Sequence, residues 1–329
     1  MYKRLVTDFG NHSSVRGQMV THACGEDDGG SDRPDSEFDC LSQKSYNIRI
    51  KLGQCAYLAE AGLQQTAEGK DMASIIFEKK NHIGIITFNR PETLNALSSG
   101  FVNEIHEAVK AAETDDDVFV LVLTGTGKSF IAGADIEEMY PMGPEEIFEF
   151  SSYATDLNMR LEKMSKPVIA AINGYALGGG LEVALACDIR YAGEKAKLGL
   201  PEVKLGVICG SGGTQRLCRI VGDSIAKEMI FTGRAVDAQE AFRIGLVNKV
   251  LPQEELMPAA LELAEEICRY GQLAIRASKK CINYAQDHSI EEGSLYERQR
   301  FSELFVTEDQ KIGMGGFLRK EKDIKFKNR

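Results

Sequence analysis

The sequence predicts an α/β domain with a helical C-terminal part. Three observations carry this expectation. From Ile75 onward, short apolar runs alternate with segments whose apolar residues recur at helical spacing. Proline and glycine stand at the joints, as in "RPETLNALS" (90–98) and "ALGGG" (176–180). From Pro258 to the end the pattern is almost wholly helical.

Taken in order, residues 75–78 and 83–88 read as two strands joined by "KKNHIG". Pro91 ends the second strand, and "RPETLNALS" is expected to start a helix that runs to about Glu113. Residues 118–124 read as a buried strand, since 118–123 is the longest apolar run in the chain. A helix is expected over 145–164, a strand over 167–172, then a helix beginning at the glycines 178–180. Residues 189–192 are strand-like, helices are expected over 215–221, 224–232 and 238–244, and residues 246–250 are strand-like.

Residues 1–71 differ from the rest. They carry 11 acids and 8 bases and include "GEDDGGSDRPDSEFD" (25–39), too polar and glycine-rich to bury a core. The expectation is a disordered extension without a catalytic role, with a weak helical pattern over 55–65 and a plausible native start at Met72. The chain then divides into an extension (1–71), a core (72–257) and a helical region (258–329).

Composition narrows the function. The net charge is −10 over 329 residues, which argues against nucleic acid or an anionic membrane as partner. No apolar run approaches the roughly 18 residues needed to span a bilayer. Lys3 and Arg4 are not followed by an apolar stretch, so no secretory signal is expected. Acids begin at Asp8, which speaks against a mitochondrial transit peptide and for the cytoplasm. The eight cysteines show no C-x-x-C spacing, and the five histidines fit no metal or catalytic pattern.

Chemistry concentrates in three stretches. In "ALGGGLEVALACD" (176–188) three glycines open a helix, so bare backbone N–H groups and the helix dipole face outward together. Glu182 stands in the apolar run that follows. In "TGTGKSFIAGADIEEM" (124–139) a phosphate loop is rejected, because position 122 is valine where that motif needs glycine. What remains is a strand and a small-residue turn, 132–135, able to expose another N–H. In "KLGLPEVKLGVICGSGGTQRL" (197–217) Glu202 follows Pro201 on an otherwise apolar segment. Either glutamate alone reads as an ordinary surface or core residue; a pair in apolar surroundings can give and take protons, with pKa values set by burial. The charge run 319–329 reads as a solvated end.

Together "NRPETLNALS", "SFIAGADIEEM", "KPVIAAINGYALGGGLEVALACDIRYA", "LGLPEVKLGV" and "GSGGTQRL" resemble the enoyl-CoA hydratase (crotonase) superfamily, over about residues 72–329. The resemblance implies a crotonase-like spiral of β-β-α repeats. It also implies a C-terminal helical trimerisation region, with two trimers stacking into a hexamer. It implies reversible hydration of a short trans-2-enoyl-CoA in fatty-acid or butanoate metabolism, with no separate cofactor because CoA is part of the substrate. Glu182 and Glu202 match the catalytic glutamates. The N–H groups of Ala134 and Gly179 match the oxyanion hole. Ala96, Ala132, Ala134, Asp135, Ile136 and Gly179 match the CoA and substrate site, and Lys320 a basic position that reaches the CoA phosphates. The nearest alternative is another acyl-CoA enzyme of the superfamily, such as an enoyl-CoA isomerase or a CoA hydrolase; retention of both glutamates favours hydration over isomerisation, which needs one base. An RNA-binding role or a CoA-binding pseudoenzyme is the non-enzymatic alternative. Cys209 stands where many relatives carry proline, and is read as a buried thiol without a chemical role.

Overall fold

The computed structural model describes residues 73–329. The expectations for residues 1–71, including the helical pattern over 55–65, lie outside the described residues.

The apolar runs become the interior of a six-stranded sheet. β2 (Ile83–Phe88), β3 (Val120–Gly125) and β5 (Val168–Ile172) are almost continuously buried. Such runs suit strands covered on both faces. β7 (Ile189–Gly193) and β10 (Lys249–Leu251) extend the sheet in the order β1-β2-β3-β5-β7-β10. β1 (Ile75–Lys80) closes one edge, antiparallel to β2, with Ile75 opposite Phe88. The other pairings in this sheet are parallel.

A second sheet is built from three-residue strands: β4 (Ser129–Ile131), β6 (Tyr175–Leu177), β8 (Lys197–Gly199) and β9 (Ala235–Asp237), in that order. The chain alternates between the sheets. β3 is followed by β4, then helices α2 (Ile136–Met139) and α3 (Pro144–Lys163). β5 is followed by β6 and α4 (Gly179–Ala186); β7 by β8, then α5 (Gly213–Val221) and α6 (Asp223–Thr232); β9 by α7 (Ala238–Arg243). This is the expected β-β-α spiral. Each turn ends a short strand of the second sheet beside the start of a helix or loop, which gathers those ends on one side.

One helix starts later than the sequence reading has it. α1 (Ser99–Thr114) begins nine residues after Arg90, capped by Ser98, whose Oγ accepts from Phe101 N at 3.3 Å. Pro91–Thr93 forms a single 3-10 turn instead, and Leu94 and Asn95 take left-handed backbone with φ of 56° and 59°. That geometry reverses the chain and cannot continue a helix. Three short strands, β6, β8 and β9, have no counterpart in the sequence reading.

The helical tail is held to the core by polar ties. α8 (Leu256–Cys268) sets Leu256, Ala260 and Ala264 against Val120, Val122, Ile169 and Ala171 of the large sheet. α9 (Gln272–Tyr284), α10 (Ile290–Glu303) and α11 (Glu308–Leu318) follow. Lys279 on α9 reaches Asp188 Oδ2 at 2.7 Å and the carbonyl of Lys166 at 3.0 Å, with its side chain only 7% exposed. Truncating it leaves a largely buried carboxylate without its cation. Lys279→Met is therefore expected to lower stability by about 2–4 kcal/mol, read by denaturant unfolding.

The charge run at the C-terminus does not behave as a solvated end. Buried Asp309 accepts the backbone N–H groups of Lys327 and Asn328, and Asn328 Oδ1 accepts from Gln272 N at 2.9 Å. Lys327 and Arg329 also pair with Glu308. The acids at the N-terminus of α11 thus anchor the basic tail.

Candidate active site

The site begins with the "NAL" turn. Asn95 is fully buried at 0% exposure. Its Nδ2 donates to the carbonyls of Ser129 (3.0 Å) and Phe130 (3.1 Å), and its Oδ1 accepts from Arg90 N (2.7 Å). This bolts the turn to β4. Leu97 N then donates to Gly133 O at 2.9 Å, and Asp135 N to Leu97 O at 2.8 Å. Ala96 and the loop of Ala132, Ala134, Asp135 and Ile136 therefore lie side by side. Asp135 is spent locally: its Oδ1 caps α2 by accepting from Glu137 N and Glu138 N. Ile136 is exposed, and Ala96, Ala132 and Ala134 are half-buried.

The pairing of these segments skips one amide. Ala132 N and Asp135 N are bonded, whereas Ala134 N donates to no carbonyl among the described residues. The same holds for Gly179 N at the start of α4. The glycine turn explains how both can face one space. Gly178 has φ 51° and ψ −125°, a conformation open to glycine. A Cβ on it would stand 3.8 Å from Gly133 Cα, so the two donor turns approach each other. Gly180 must also lack a side chain, since a Cβ there would meet Ile131 O at 2.0 Å. α4 thus packs directly on β4.

The carboxyls flank this turn. A Cβ on Gly178 would stand 3.2 Å from Glu202 Oε1, and one on Gly179 would stand 4.0 Å from Glu182 Oε2. Glu182, in the first turn of α4, is 3% exposed. Its Oε1 accepts from Ser211 N (2.8 Å) and Gly213 N (2.7 Å). Burial raises its pKa above the usual glutamate range; the two amides oppose this, and the nearby Glu202 adds to it. Glu202 opens the 3-10 turn Glu202–Leu205 and is half-buried. Burial raises its pKa as well, opposed by its own backbone N–H and by the Cys209 thiol. Its Oε2 is buried and has no partner among the described residues.

The loop that clamps Glu182 is itself held. Ser151 Oγ donates to Gly210 O at 2.6 Å, Asn158 Nδ2 to Ser211 O at 3.0 Å, and Arg216 Nη1 to Ser211 O at 3.1 Å. Asn95, Asn158 and the amides of Ser211 and Gly213 were not singled out from the sequence. Backbone donors carry no side-chain signature, and the two asparagines acquire meaning only through the carbonyls they meet. No hydrogen bond among the described residues ties Lys320 to this site. It follows α11 on left-handed backbone, exposed, with its N–H on Phe317 O at 3.0 Å.

A stability consequence follows from Glu182. Its raised folded pKa means that the folded state holds a proton more tightly than the unfolded chain does. Stability from this group therefore falls as pH rises above the free value of about 4.3. Glu182→Gln is expected to raise the melting temperature near neutral pH, and the gain should vanish below about pH 4. A thermal-melt series against pH checks the sign.

Residues 78–329 match the family model described as "Enoyl-CoA hydratase/isomerase". The chain belongs to the enoyl-CoA hydratase/isomerase family. It is 46% identical over 260 residues to a short-chain-enoyl-CoA hydratase of Clostridium acetobutylicum, covering 79% of this chain and 100% of that one. It is 47% identical over 254 residues to a probable mitochondrial enoyl-CoA hydratase of Dictyostelium discoideum, covering 76% and 90%. Among solved structures, it is similar to an enoyl-CoA hydratase from Bacillus anthracis, with TM-score 0.76 and 38% identity, covering 78% of this chain and all of that one. No helix among the described residues is long and apolar enough to cross a membrane.

Proposed function

We propose that the chain is an enoyl-CoA hydratase that adds water reversibly and syn across a short trans-2-enoyl-CoA. One observation carries the mechanism: two carboxyls with different hydrogen-bond partners flank a turn that presents uncommitted amides. A 2-enoyl thioester is a poor electrophile until its carbonyl is polarised. Attack at Cβ places negative charge on the thioester oxygen as an enolate. The N–H groups of Ala134 and Gly179 hold that oxygen, aided by the positive end of α4.

The partners divide the labour between the carboxyls. Glu182 Oε1 receives two amide donors, which favour its ionised form against burial. It is the base that orients and deprotonates the water. Glu202 has a buried oxygen without such donors, and burial favours its protonated form. It delivers that proton to Cα. Both act from one side, so water and proton arrive on the same face, and the roles reverse in dehydration. CoA enters as part of the substrate, lying along Ala96 and the loop 132–136.

Lys320 would reach CoA phosphates across a subunit boundary in a trimer or a hexamer of two trimers. Supporting such assembly, the C-terminal helical region leaves Ile290, Val306, Phe317 and Leu318 strongly exposed, and apolar side chains of this size favour a covering partner. Sedimentation at micromolar concentration reads the assembly. The cytoplasm is the proposed compartment; cell fractionation decides it against the mitochondrial matrix.

Incubation with crotonyl-CoA tests the activity. Loss of the absorbance of the conjugated thioester is expected. Turnover of a 3-enoyl-CoA to its conjugated isomer, without hydration, would instead identify an isomerase.

A further inference from the structure

One face of α3 is committed to the loop that holds Glu182. Ser151, Thr155, Asn158 and Glu162 recur along it at helical spacing, so they share one side of the helix. Ser151 Oγ donates to Gly210 O at 2.6 Å, with Thr155 Oγ1 at 3.5 Å from the same oxygen. Asn158 Nδ2 donates to Ser211 O at 3.0 Å, and Glu162 pairs with Arg216, which donates to that carbonyl at 3.1 Å. The two carbonyls lie on different peptide units. That of Ser211 shares its unit with the amide of Gly212. That of Gly210 shares its unit with the amide of Ser211, which donates to Glu182 Oε1 at 2.8 Å. Ser151 O–H, Gly210 C=O, Ser211 N–H and the Glu182 carboxyl thus form one chain across a planar peptide. Glycine at 210 leaves room for it: a Cβ there would press Ser151 Oγ at 3.3 Å.

We propose that Ser151 is a positioning residue for hydration: by donating to the Gly210 carbonyl, it strengthens the grip of the Ser211 amide on Glu182 and holds the base in place for the water. The proposal rests on the reading of Glu182 as the base. It gives a role to a serine that the sequence reading passed over.

The effect is that of hydrogen bonds in series. A donor on a carbonyl oxygen draws electron density through the amide plane and leaves the N–H of that unit a better donor; bonds in such chains strengthen one another by about 10–30%. Ser151 gives up no proton and carries no charge. Glu182 is 3% exposed, so each donor to its ionised form counts against the cost of burying that charge. Other groups face this carboxyl. Glu202 from the 3-10 turn opposes its charge, and Arg216 from α5, paired with Glu162 of α3, favours it. The Cys209 thiol, pushed up by burial and by both glutamates, stays neutral beside them. None of these groups is altered in a Ser151 variant, so a change in Glu182 reports the peptide path.

Two readouts test this with the full chain. The first needs no substrate. It is the infrared C=O stretch of the protonated Glu182 carboxyl, identified as the band lost in Glu182→Gln. On acidification this band is expected to grow in at higher pH in Ser151→Ala than in the wild type, because Glu182 loses support for its ionised form. Ser151→Thr, which keeps the hydroxyl, should restore the wild-type midpoint. The second is the pH profile of kcat/KM with crotonyl-CoA. Ser151→Ala is expected to move the acidic limb to higher pH and to lower the rate on it about 2- to 10-fold, the scale of one hydrogen bond. The loss should narrow once Glu182 is fully ionised, and should vanish in a Glu182→Gln background. Both readouts are repeated with Thr155→Val added, so that its hydroxyl cannot stand in for the serine. A midpoint and a limb that stay put in that double variant overturn the proposal. So does a loss that is equal at every pH or persists beside Glu182→Gln, since that marks a structural role alone. A wild type inert toward crotonyl-CoA would overturn the hydratase reading itself, and is told apart because the infrared band needs no turnover.

Discussion

Glu182→Gln and Glu202→Gln are each expected to lower kcat for enoyl-CoA hydration by about 10²- to 10⁴-fold, the usual contribution of a positioned acid or base. CoA-product affinity should change little, because the contacts proposed for CoA lie on Ala96 and the loop 132–136 instead. Glutamine keeps the volume of the side chain, and in Glu182→Gln its amide oxygen can still accept from Ser211 N and Gly213 N. The loss then reports proton transfer rather than a collapsed site. Combining the two changes should cost far less than the product of the single effects, since both act on one water. Single-turnover rates with crotonyl-CoA check both statements; near-normal turnover in either variant removes that residue from the mechanism.

The second large effect concerns a backbone donor, which only proline can delete. Gly179 is the first residue of α4, a helix position that tolerates proline. Gly179→Pro removes the N–H proposed to hold the thioester oxygen. The expected loss is about 10²- to 10³-fold in kcat/KM, in line with removal of one oxyanion donor. A side chain here would also press Leu97, whose Cδ1 lies 2.9 Å from the Cβ position. Gly179→Ala brings that same pressure while keeping the amide. A deficit in proline well beyond that of alanine isolates the donor, and circular dichroism confirms that α4 persists.

The carboxyl pair was legible in the sequence because each glutamate interrupts an apolar run, which has no packing reason to hold an acid. The large sheet of the α/β domain was legible through its long buried strands, β2, β3 and β5, while the spiral was an expectation from the family resemblance. Its second sheet was less so. Three residues, as in Tyr175–Leu177 or Lys197–Gly199, are too few to set up a two-residue alternation, and parallel pairing with distant segments decides them. The start of α1 was misplaced for a related reason. Left-handed Leu94 and Asn95 are imposed by the bonds of the Asn95 amide to β4, a tertiary contact that local propensity does not register. The amide clamp on Glu182 was invisible, being made of backbone groups. The docked tail was hidden too, because the partner of its amides, Asp309, is a single acid that looks solvated in isolation.

A crystal structure of the chain with a bound 3-hydroxyacyl-CoA product decides the mechanism. The 3-hydroxyl oxygen is expected within hydrogen-bonding reach of both Glu182 and Glu202. The thioester oxygen is expected about 2.7–3.1 Å from the backbone nitrogens of Ala134 and Gly179. A hydroxyl that touches neither carboxyl, or a thioester oxygen turned away from both amides, would contradict it.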